Sequence, residues 1–522
     1  MIVNPDIEGD IPEEVYTFFR NLDNAVENGN KNAIRNLYEE KFDELTKACY
    51  VEGNIIVRPW PSSSLPQVKE SFGSELALRL YDFLSNKHLF TYKLLKANSA
   101  RTTWQNFSDL LRSLPNSSCD LPLSLIWDIF DEFIFQLTTV YQKQYFSEGE
   151  WSIPQVFNLL DEVVEKTDVL KSLSDTSTAE ELTNNENLSF FSGFYAIITK
   201  AKVNVLLGDY YASLSVLTPL NIYKPEKNAL QRSGSAALSL FYYIGVSYLM
   251  LHRYLDAYHC FMKCMKIKNA TAKFAESVRL DAGYMLVCAC VLGGIYLPNI
   301  NMYLQTKKST FDDDKETLKS GSVDRFGDVF ERHSPKFLSV PAAGAQKGKV
   351  KGVDGKLLQQ RMFNRAVQQQ QHVIKMRGYF GVYQNTKVGL LESLLDVEDG
   401  YTMLFALKMR SRSVVHDGES ADLLSGQYKI ATQFDCVVTD DNVEVVKLTG
   451  TGGGSEVRLL RKIENIQREI KQFNEYRKNR QEQKKEGRFN HGNQGRGNRK
   501  GGNKRPNNRM GDEQREGHTA TR

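Results

Sequence analysis

Apolar residues recur at three- and four-residue intervals along most of this chain, the spacing of one face of an α-helix. The first such stretch carries Val15, Phe18, Phe19, Leu22 and Val26 behind Ile11-Pro12-Glu13-Glu14, where proline and acids suit a first helical turn. It predicts helix from residue 11 to about 50. Pro59, Pro61, Ser62 to Ser64 and Pro66 predict a loop, and Leu76, Leu80, Phe83 and Leu84 predict a helix resuming from Ser74. The segment Leu125 to Phe135 is apolar nearly all round, so burial on most sides is expected. Residues 171–187 read as a polar break, and residues 306–324 and 341–355 as polar or glycine-rich connections.

Between these breaks the small and aromatic positions repeat. Gly245, Tyr248, Tyr254, Ala257, Phe261 and Cys264 follow a tetratricopeptide register. Ala201, Gly208, Tyr210, Ser213, Leu217 and Pro225 form a copy about 44 residues upstream, against about 34 in the standard repeat, so the connection is longer. Small residues let paired helices approach, aromatics fill the gap, and each hairpin buries its face on the next, which is an α-solenoid.

From Gln371 the texture changes. A helix is expected around His372 to Tyr379, then Val382-Tyr383 and Thr386 as a helix cap. Val388, Leu391, Leu394 and Leu395 make a short amphipathic helix; Gly400 breaks it; Met403, Leu404, Leu407 and Met409 suggest another. Phe434, Cys436 and Val438 alternate, Thr439 to Asn442 turn, and Val443 and Val445 alternate back, which is a β-hairpin. Three short helices closed by a hairpin make a winged helix. Past Gly450-Thr451-Gly452-Gly453-Gly454, the residues Val457, Leu460, Ile463, Ile466, Ile470 and Phe473 predict one long amphipathic helix with no partner of its own. The tail from Gly487 is Gly, Asn and Arg, and is expected to be disordered.

The expected class is mainly α: a right-handed, tetratricopeptide-like solenoid, then a winged helix with a small β-hairpin, a C-terminal helix and a disordered tail. The expected segments are an N-terminal helical region (1–170), helical repeats (188–370), a winged helix (371–449), an amphipathic helix (455–486) and a basic tail (487–522).

Composition, segment character and charge refine this picture. The 522 residues, 41% apolar and 25% charged, suit a globular protein of two or three domains. Seven scattered cysteines without a paired framework suit reduced thiols in cytosol or nucleus. No charged start followed by an apolar run announces a secretory signal. The longest apolar stretch, Gly283 to Leu297, is too short for a bilayer and is interrupted by Gly293 and Gly294, so a buried helix and no membrane partner is expected. The net charge of +4 hides an asymmetry: from Arg477 onward 14 basic residues face 5 acidic ones, leaving the preceding body mildly acidic.

Candidate chemistry is sparse. Asp128, Asp131 and Glu132 share a helical face at i, i+3 and i+4, but a solvated stripe or an Arg-facing interface is the commoner role of such charges than a catalytic pair. The glycine run 450–454 lies where a phosphate loop would, yet Ser455 stands where Gly-x-Gly-x-x-Gly needs its last glycine; a flexible linker is the expected reading. Cys260 and Cys264 lie one helical turn apart near His252 and His259, and read as buried thiols rather than a zinc site. No metal, cofactor or catalytic residue is expected. Arg488, Arg496, Arg499, Lys500, Lys504, Arg505 and Arg509, with Phe489 as the one aromatic, suit weak, sequence-independent RNA contact; a solubilising tail is the alternative.

A solenoid running into a winged helix is the plan of the PCI domain, here about residues 255–450, shared by subunits of the proteasome lid, the COP9 signalosome and eukaryotic translation initiation factor 3. The strings Trp127-Asp128-Ile129-Phe130-Asp131-Glu132-Phe133-Ile134, Leu206-Leu207-Gly208-Asp209-Tyr210-Tyr211, Tyr242 to Ala257 and Pro335-Lys336-Phe337-Leu338-Ser339 resemble, in order, those of the subunit L family of that initiation factor. The resemblance implies a non-catalytic, cytoplasmic scaffold subunit that supports pre-initiation complex assembly and mRNA recruitment on the small ribosomal subunit. It implies neighbours among the other subunits of that factor, notably K and E. It also implies a winged helix used for pairing, and a C-terminal helix that joins a multi-chain bundle through Val457, Leu460, Ile463, Ile466, Ile470 and Phe473. A PCI subunit of the proteasome lid or signalosome is the rival reading. The Arg/Gly tail from Gly487 looks like an addition to the family's plan, so the resemblance implies no role for it.

Overall fold

Val15, Phe18, Phe19, Leu22 and Val26 bury one stripe of α1 (Glu13–Glu27), as their spacing predicts. The helix does not run on to residue 50. Gly29, at φ +60°, turns the chain, and Asn30 caps α2 (Lys31–Asn36) by accepting from the Ala33 N–H. α2 continues through π-helical turns at Leu37–Lys41 and Thr46–Tyr50 that flank α3 (Phe42–Leu45), into a short antiparallel pair, β1 (Val51–Glu52) and β2 (Ile56–Val57). The computed structural model describes residues 11–448, apart from 53–55, 97–98, 118, 148, 224–228, 269, 271, 305–307 and 341–353.

The N-terminal layer is completed by α4 (Pro66–Lys69), α5 (Glu75–Thr91), α6 (Ser99–Ser113), α7 (Leu123–Lys143) and α8 (Ile153–Lys166). Ser74 caps α5, accepting from the Ala77 N–H. Aromatic side chains fill this layer: Trp60 stacks on Phe42 at 4.4 Å, and its indole N–H donates to Thr46 Oγ1 at 3.0 Å. α7 is buried on most of its circumference.

Residues 171–187 are not a break. They hold α9 (Val169–Ser174) and α10 (Thr176–Asn184), and the polar residue between them, Asp175, caps α10 through the Ser177 N–H. Ser, Thr and Asp favour loops and helix caps alike, and here the cap prevails. The repeats follow as α11 (Leu188–Leu207), α12 (Tyr210–Val216), α13 (Gly234–Met250), α14 (Tyr254–Lys266) and α15 (Ala272–Gly293), each packed on the next. Gly245 of α13 lies so close to α14 that a Cβ there would stand 2.5 Å from the Phe261 ring. Gly208 has a different task from the one its register suggests. It ends α11 at φ +83°, and Gln359, far along the chain, fills the space where a side chain would be. α11 is long and apolar enough to cross a membrane by length and composition, but its side chains are buried inside this fold.

The stretch 306–324 is also more than a connection: it contains α16 (Lys308–Lys319), whose Phe311 and Leu318 are fully buried beneath an otherwise charged surface. α17 (Val323–His333) follows, then α18 (Gly355–Phe380), a single helix that crosses the expected junction at residue 370. The connection expected at 341–355 lies almost wholly outside the described residues.

The winged helix is assembled from the last turns of α18, β3 (Asn385–Lys387), α19 (Val388–Leu395), α20 (Gly400–Arg410), β6 (Phe434–Thr439) and β7 (Asn442–Lys447). Its sheet has the order β3-β7-β6, all antiparallel, with Val438 opposite Val443 around the turn. Val373, Met376, Phe380, Leu391, Leu404, Leu407, Cys436 and Val443 form its own small core. Thr386, expected as a cap, instead pairs with Val443 in the three-residue β3. A further ribbon, β4 (Arg412–Val415) with β5 (Gln427–Ile430), is inserted between α20 and β6. The mainly helical class, a solenoid followed by a winged helix, is the observed fold.

Candidate interaction surfaces

Arg253 and Asp256 lie at the start of α14, and both are buried. The Arg253 guanidinium donates to Asp256 Oδ2 at 2.7 Å and to the carbonyls of Leu423, Leu424 and Ser425 at 3.2, 2.8 and 3.0 Å. Asp256 accepts the His416 N–H at 3.0 Å, and the Tyr248 hydroxyl donates to the Leu423 carbonyl at 2.7 Å. His416 stacks on Tyr223 at 4.1 Å, while its Nδ1 accepts the Gly418 N–H at 2.8 Å. A fully hydrogen-bonded ion pair therefore fastens the loop between β4 and β5 to the repeats. Its charges are used within the fold, so it acts as a latch.

A second junction sits where α15 ends. Gly293 meets the Tyr254 side chain, and Gly294, at φ +65°, lets Arg377 of α18 lie across the turn, with 2.7 Å between a hypothetical Cβ and Nε. Arg377 Nη1 donates to the Leu292 carbonyl at 2.7 Å, which suits a cation at a helix C-terminus. Its Nε and Nη2 are buried without a partner among the described residues. Burial, with Arg410 nearby, lowers the guanidinium to about 10, opposed only by Tyr254.

The outer face of the winged helix is apolar. Tyr401, Phe405 and Met409 lie along α20 at i, i+4 and i+8 and are at least half exposed, and Leu390 and Leu394 of α19 are exposed as well. α20 is the second helix of the pair that, in nucleic-acid readers, enters a groove. Here the exposed stripe carries aromatic and thioether groups, while Lys408 is drawn aside to Asp435 at 3.6 Å. Such a patch rimmed by polar residues is the mark of a protein-docking face.

The acidic face of α7 is packed rather than solvated. Asp131 pairs at 2.6 Å with Lys202, which is buried beneath the Trp127 and Tyr243 rings. Asp128 accepts from the Tyr38 hydroxyl at 3.3 Å, and Glu132 from Gln136 at 2.9 Å. Burial pushes Asp128 up to about 6 and Glu132 up to about 7. The sequence shows three acids on one face, but nothing in it shows that α11 and the turn at Tyr38 cover them. Cys260, Cys264, Cys288 and Cys290 are buried thiols in the repeats, and burial raises all four, Cys260 to about 12.

The residues expected to enter a helical bundle (Val457, Leu460, Ile463, Ile466, Ile470, Phe473) lie outside the described residues. So do the glycine run and the basic tail residues Arg488 to Arg509. The latch, the Arg377 junction and the inserted ribbon escape the sequence reading, although Arg253 and Asp256 stand inside one of the strings that carry the resemblance.

The family comparison decides the affiliation. Residues 100–464 match the family described as RNA polymerase I-associated factor PAF67. The chain belongs to the Paf67 family. The match begins in α6, takes in the latch and the winged helix, and stops short of the Arg/Gly tail. Similar proteins that carry the name eukaryotic translation initiation factor 3 subunit L include the following three. One, from Nematostella vectensis, is 24% identical over 88% of this chain and 93% of its own length. A second, from Yarrowia lipolytica, is 25% identical over 84% and 86%. A third, from Caenorhabditis elegans, is 24% identical over 89% and 94%. The resemblance read from the strings of α7 and α11 to α14 thus extends to these relatives along most of the chain.

Proposed function

We propose that this chain is a scaffold subunit of eukaryotic translation initiation factor 3, without catalytic activity of its own, working in the cytoplasm. The observation that carries the proposal is similarity over more than four fifths of its length to proteins named as subunit L of that factor. The surfaces support a role in assembly. The stripe of Tyr401, Phe405 and Met409 suits the apolar face of a neighbouring subunit, and K and E are the neighbours proposed. Val457, Leu460, Ile463, Ile466, Ile470 and Phe473 supply a helical face for a bundle with other subunits. Arg488, Arg496, Arg499, Lys500, Lys504, Arg505 and Arg509 supply charge for weak RNA contact on the small ribosomal subunit. Support of pre-initiation complex assembly and mRNA recruitment follows from that position.

The test is affinity purification of the tagged full chain followed by mass spectrometry. Recovery of initiation-factor subunits together with small-subunit ribosomal proteins is the expected outcome. Recovery of RNA polymerase I subunits, as the family description would have it, or of proteasome-lid or signalosome subunits, would overturn the proposal.

A further inference from the structure

We propose that the junction between the helical repeats and the winged helix, extended by the β4–β5 ribbon, binds single-stranded RNA. The inference goes beyond membership of the initiation factor and does not depend on it.

The first observation is an excess of positive charge with no acid to balance it among the described residues. Arg377 keeps two nitrogens without a partner there, and its single hydrogen bond goes to a backbone carbonyl. Arg410 at the end of α20 lies close enough to act electrostatically on Arg377, on Tyr254 and on the exposed His252. A cation at the C-terminus of α20 complements that helix, which accounts for Lys408 or Arg410. It does not account for a second, buried guanidinium beside it. The carboxylates of the adjoining elements are committed elsewhere: Asp435 to Lys408 and Asp256 to Arg253. The unpartnered Arg377 nitrogens are closed to solvent, so a phosphate would meet the partly exposed Arg410 and offset from the surface the charge buried behind it.

The second observation is where the charge leads. Arg412 begins the inserted ribbon, two residues after Arg410. In the ribbon's register Arg412 faces Ile430 and Val414 faces Tyr428, so Arg412, Val414 and Tyr428 share one face. That face is exposed, and Tyr428 is 60% accessible. Lys429, opposite Ser413, is exposed on the other face of the ribbon and lies outside this track. At the other side of the junction Tyr296, two residues past Gly294, is 69% accessible. The Gln433 N–H donates to the Gly294 carbonyl at 3.3 Å, tying the Tyr296 loop to the strand end that leads out of the ribbon. Cations alternating with exposed tyrosines are what a single strand requires, because phosphates follow the charge and unpaired bases stack on the rings. A duplex offers no base faces to stack, so a paired ligand would leave the tyrosines unused. The acidic loop at the far end of the ribbon, with Asp417, Glu419 and Asp422, marks where the strand would leave.

The test uses the full chain with its seven tail cations, from Arg488 to Arg509, replaced by serine so that the tail does not mask the effect. Binding of a fluorescent oligouridine of about 15 nucleotides is followed by anisotropy over a series of salt concentrations. The double variant Arg410→Ala/Arg412→Ala is expected to bind about tenfold or more weakly, with a salt slope shallower by about one for each phosphate it no longer engages, whereas Lys429→Ala on the opposite face should change binding little. Tyr296→Ala/Tyr428→Ala is expected to weaken binding about tenfold while leaving the salt slope unchanged. Arg410→Lys/Arg412→Lys should retain much of the affinity, and an unchanged melting temperature shows that the variants fold. Unaltered affinity in the double variant would overturn the inference. So would competition by inorganic polyphosphate as strong as by RNA with no effect of the tyrosine variants, which would leave an anion site alone.

Discussion

At the scale of single residues, burial decides what each charge and each glycine does. Arg253 and Asp256 have exchanged water for one another and for three carbonyls, so removing either partner strands the other in the interior. Arg253→Ala or Asp256→Ala is expected to lower stability by about 3–5 kcal/mol in a urea titration. The double variant should cost less than the sum of the two, because neither charge is then left alone. Two helical glycines make a contrasting pair. Gly245 has the Phe261 ring where its Cβ would go, so Gly245→Ala is expected to destabilise by about 1–3 kcal/mol. Gly378 in α18 has nothing within contact distance, so Gly378→Ala should stabilise by about 0.5–1 kcal/mol through helix propensity alone. Melting temperatures that shift in the same direction would contradict this reading of the two sites.

Elements bring such residues into play as faces. α7 presents Asp128, Asp131 and Glu132 together, and α11 answers with the single buried cation Lys202. Folding raises Glu132 above its value of about 4.3 in an open chain, so between pH 4 and 7 the folded state holds more protons than the unfolded state. The contribution to stability is therefore full at pH 4 and is lost as pH rises through about 7. Glu132→Gln removes that loss, and it is expected to stabilise the protein at pH 8 by about 2 kcal/mol and to have little effect at pH 4. Denaturation midpoints across that range give the comparison, and a variant less stable at pH 8 would refute it. α20 works outward instead. Its inner Leu404 and Leu407 hold the small core, and its outer Tyr401, Phe405 and Met409 form an exposed stripe. Phe405→Asp/Met409→Asp is expected to leave the melting temperature unchanged while cutting co-purification of neighbouring subunits. Undiminished recovery would show that the stripe is not the docking face.

For the whole molecule, two junctions make a continuous body of the solenoid and the winged helix. One is the latch from α14 to the inserted loop; the other is Arg377, which reaches from α18 to the end of α15. α18 itself belongs to both, with Phe363 and Val367 in the larger core and Val373, Met376 and Phe380 in the smaller one. A surface needed by partners can then lie far from the repeats without moving independently of them.

Hydrophobic spacing placed the start of α1 and the helices α19 and α20, the all-round apolar run placed α7, and the tetratricopeptide register placed α13 and α14, because each of these patterns is a local property of its own residues. The same holds for the β6–β7 hairpin, where alternation flanks a short polar turn. Local signal failed wherever a segment's partner is distant. β3 is three residues long and exists because β7 pairs with it; α9, α10 and α16 are polar helices that become recognisable only against the apolar surface they cover. Gly208 reads as a repeat position until Gln359 arrives to fill its space. The sequence alone determined the class, the repeats, the winged helix and the family likeness, since each rests on periodicity or on contiguous strings. Only tertiary structure decided which charges are paired inside the fold, as at Arg253 and Asp256, and which are buried with nitrogens left unpartnered among the described residues, as at Arg377. The physical reason is that a charge's role depends on what burial and its neighbours leave unsatisfied, and those neighbours come from elements far away in the chain.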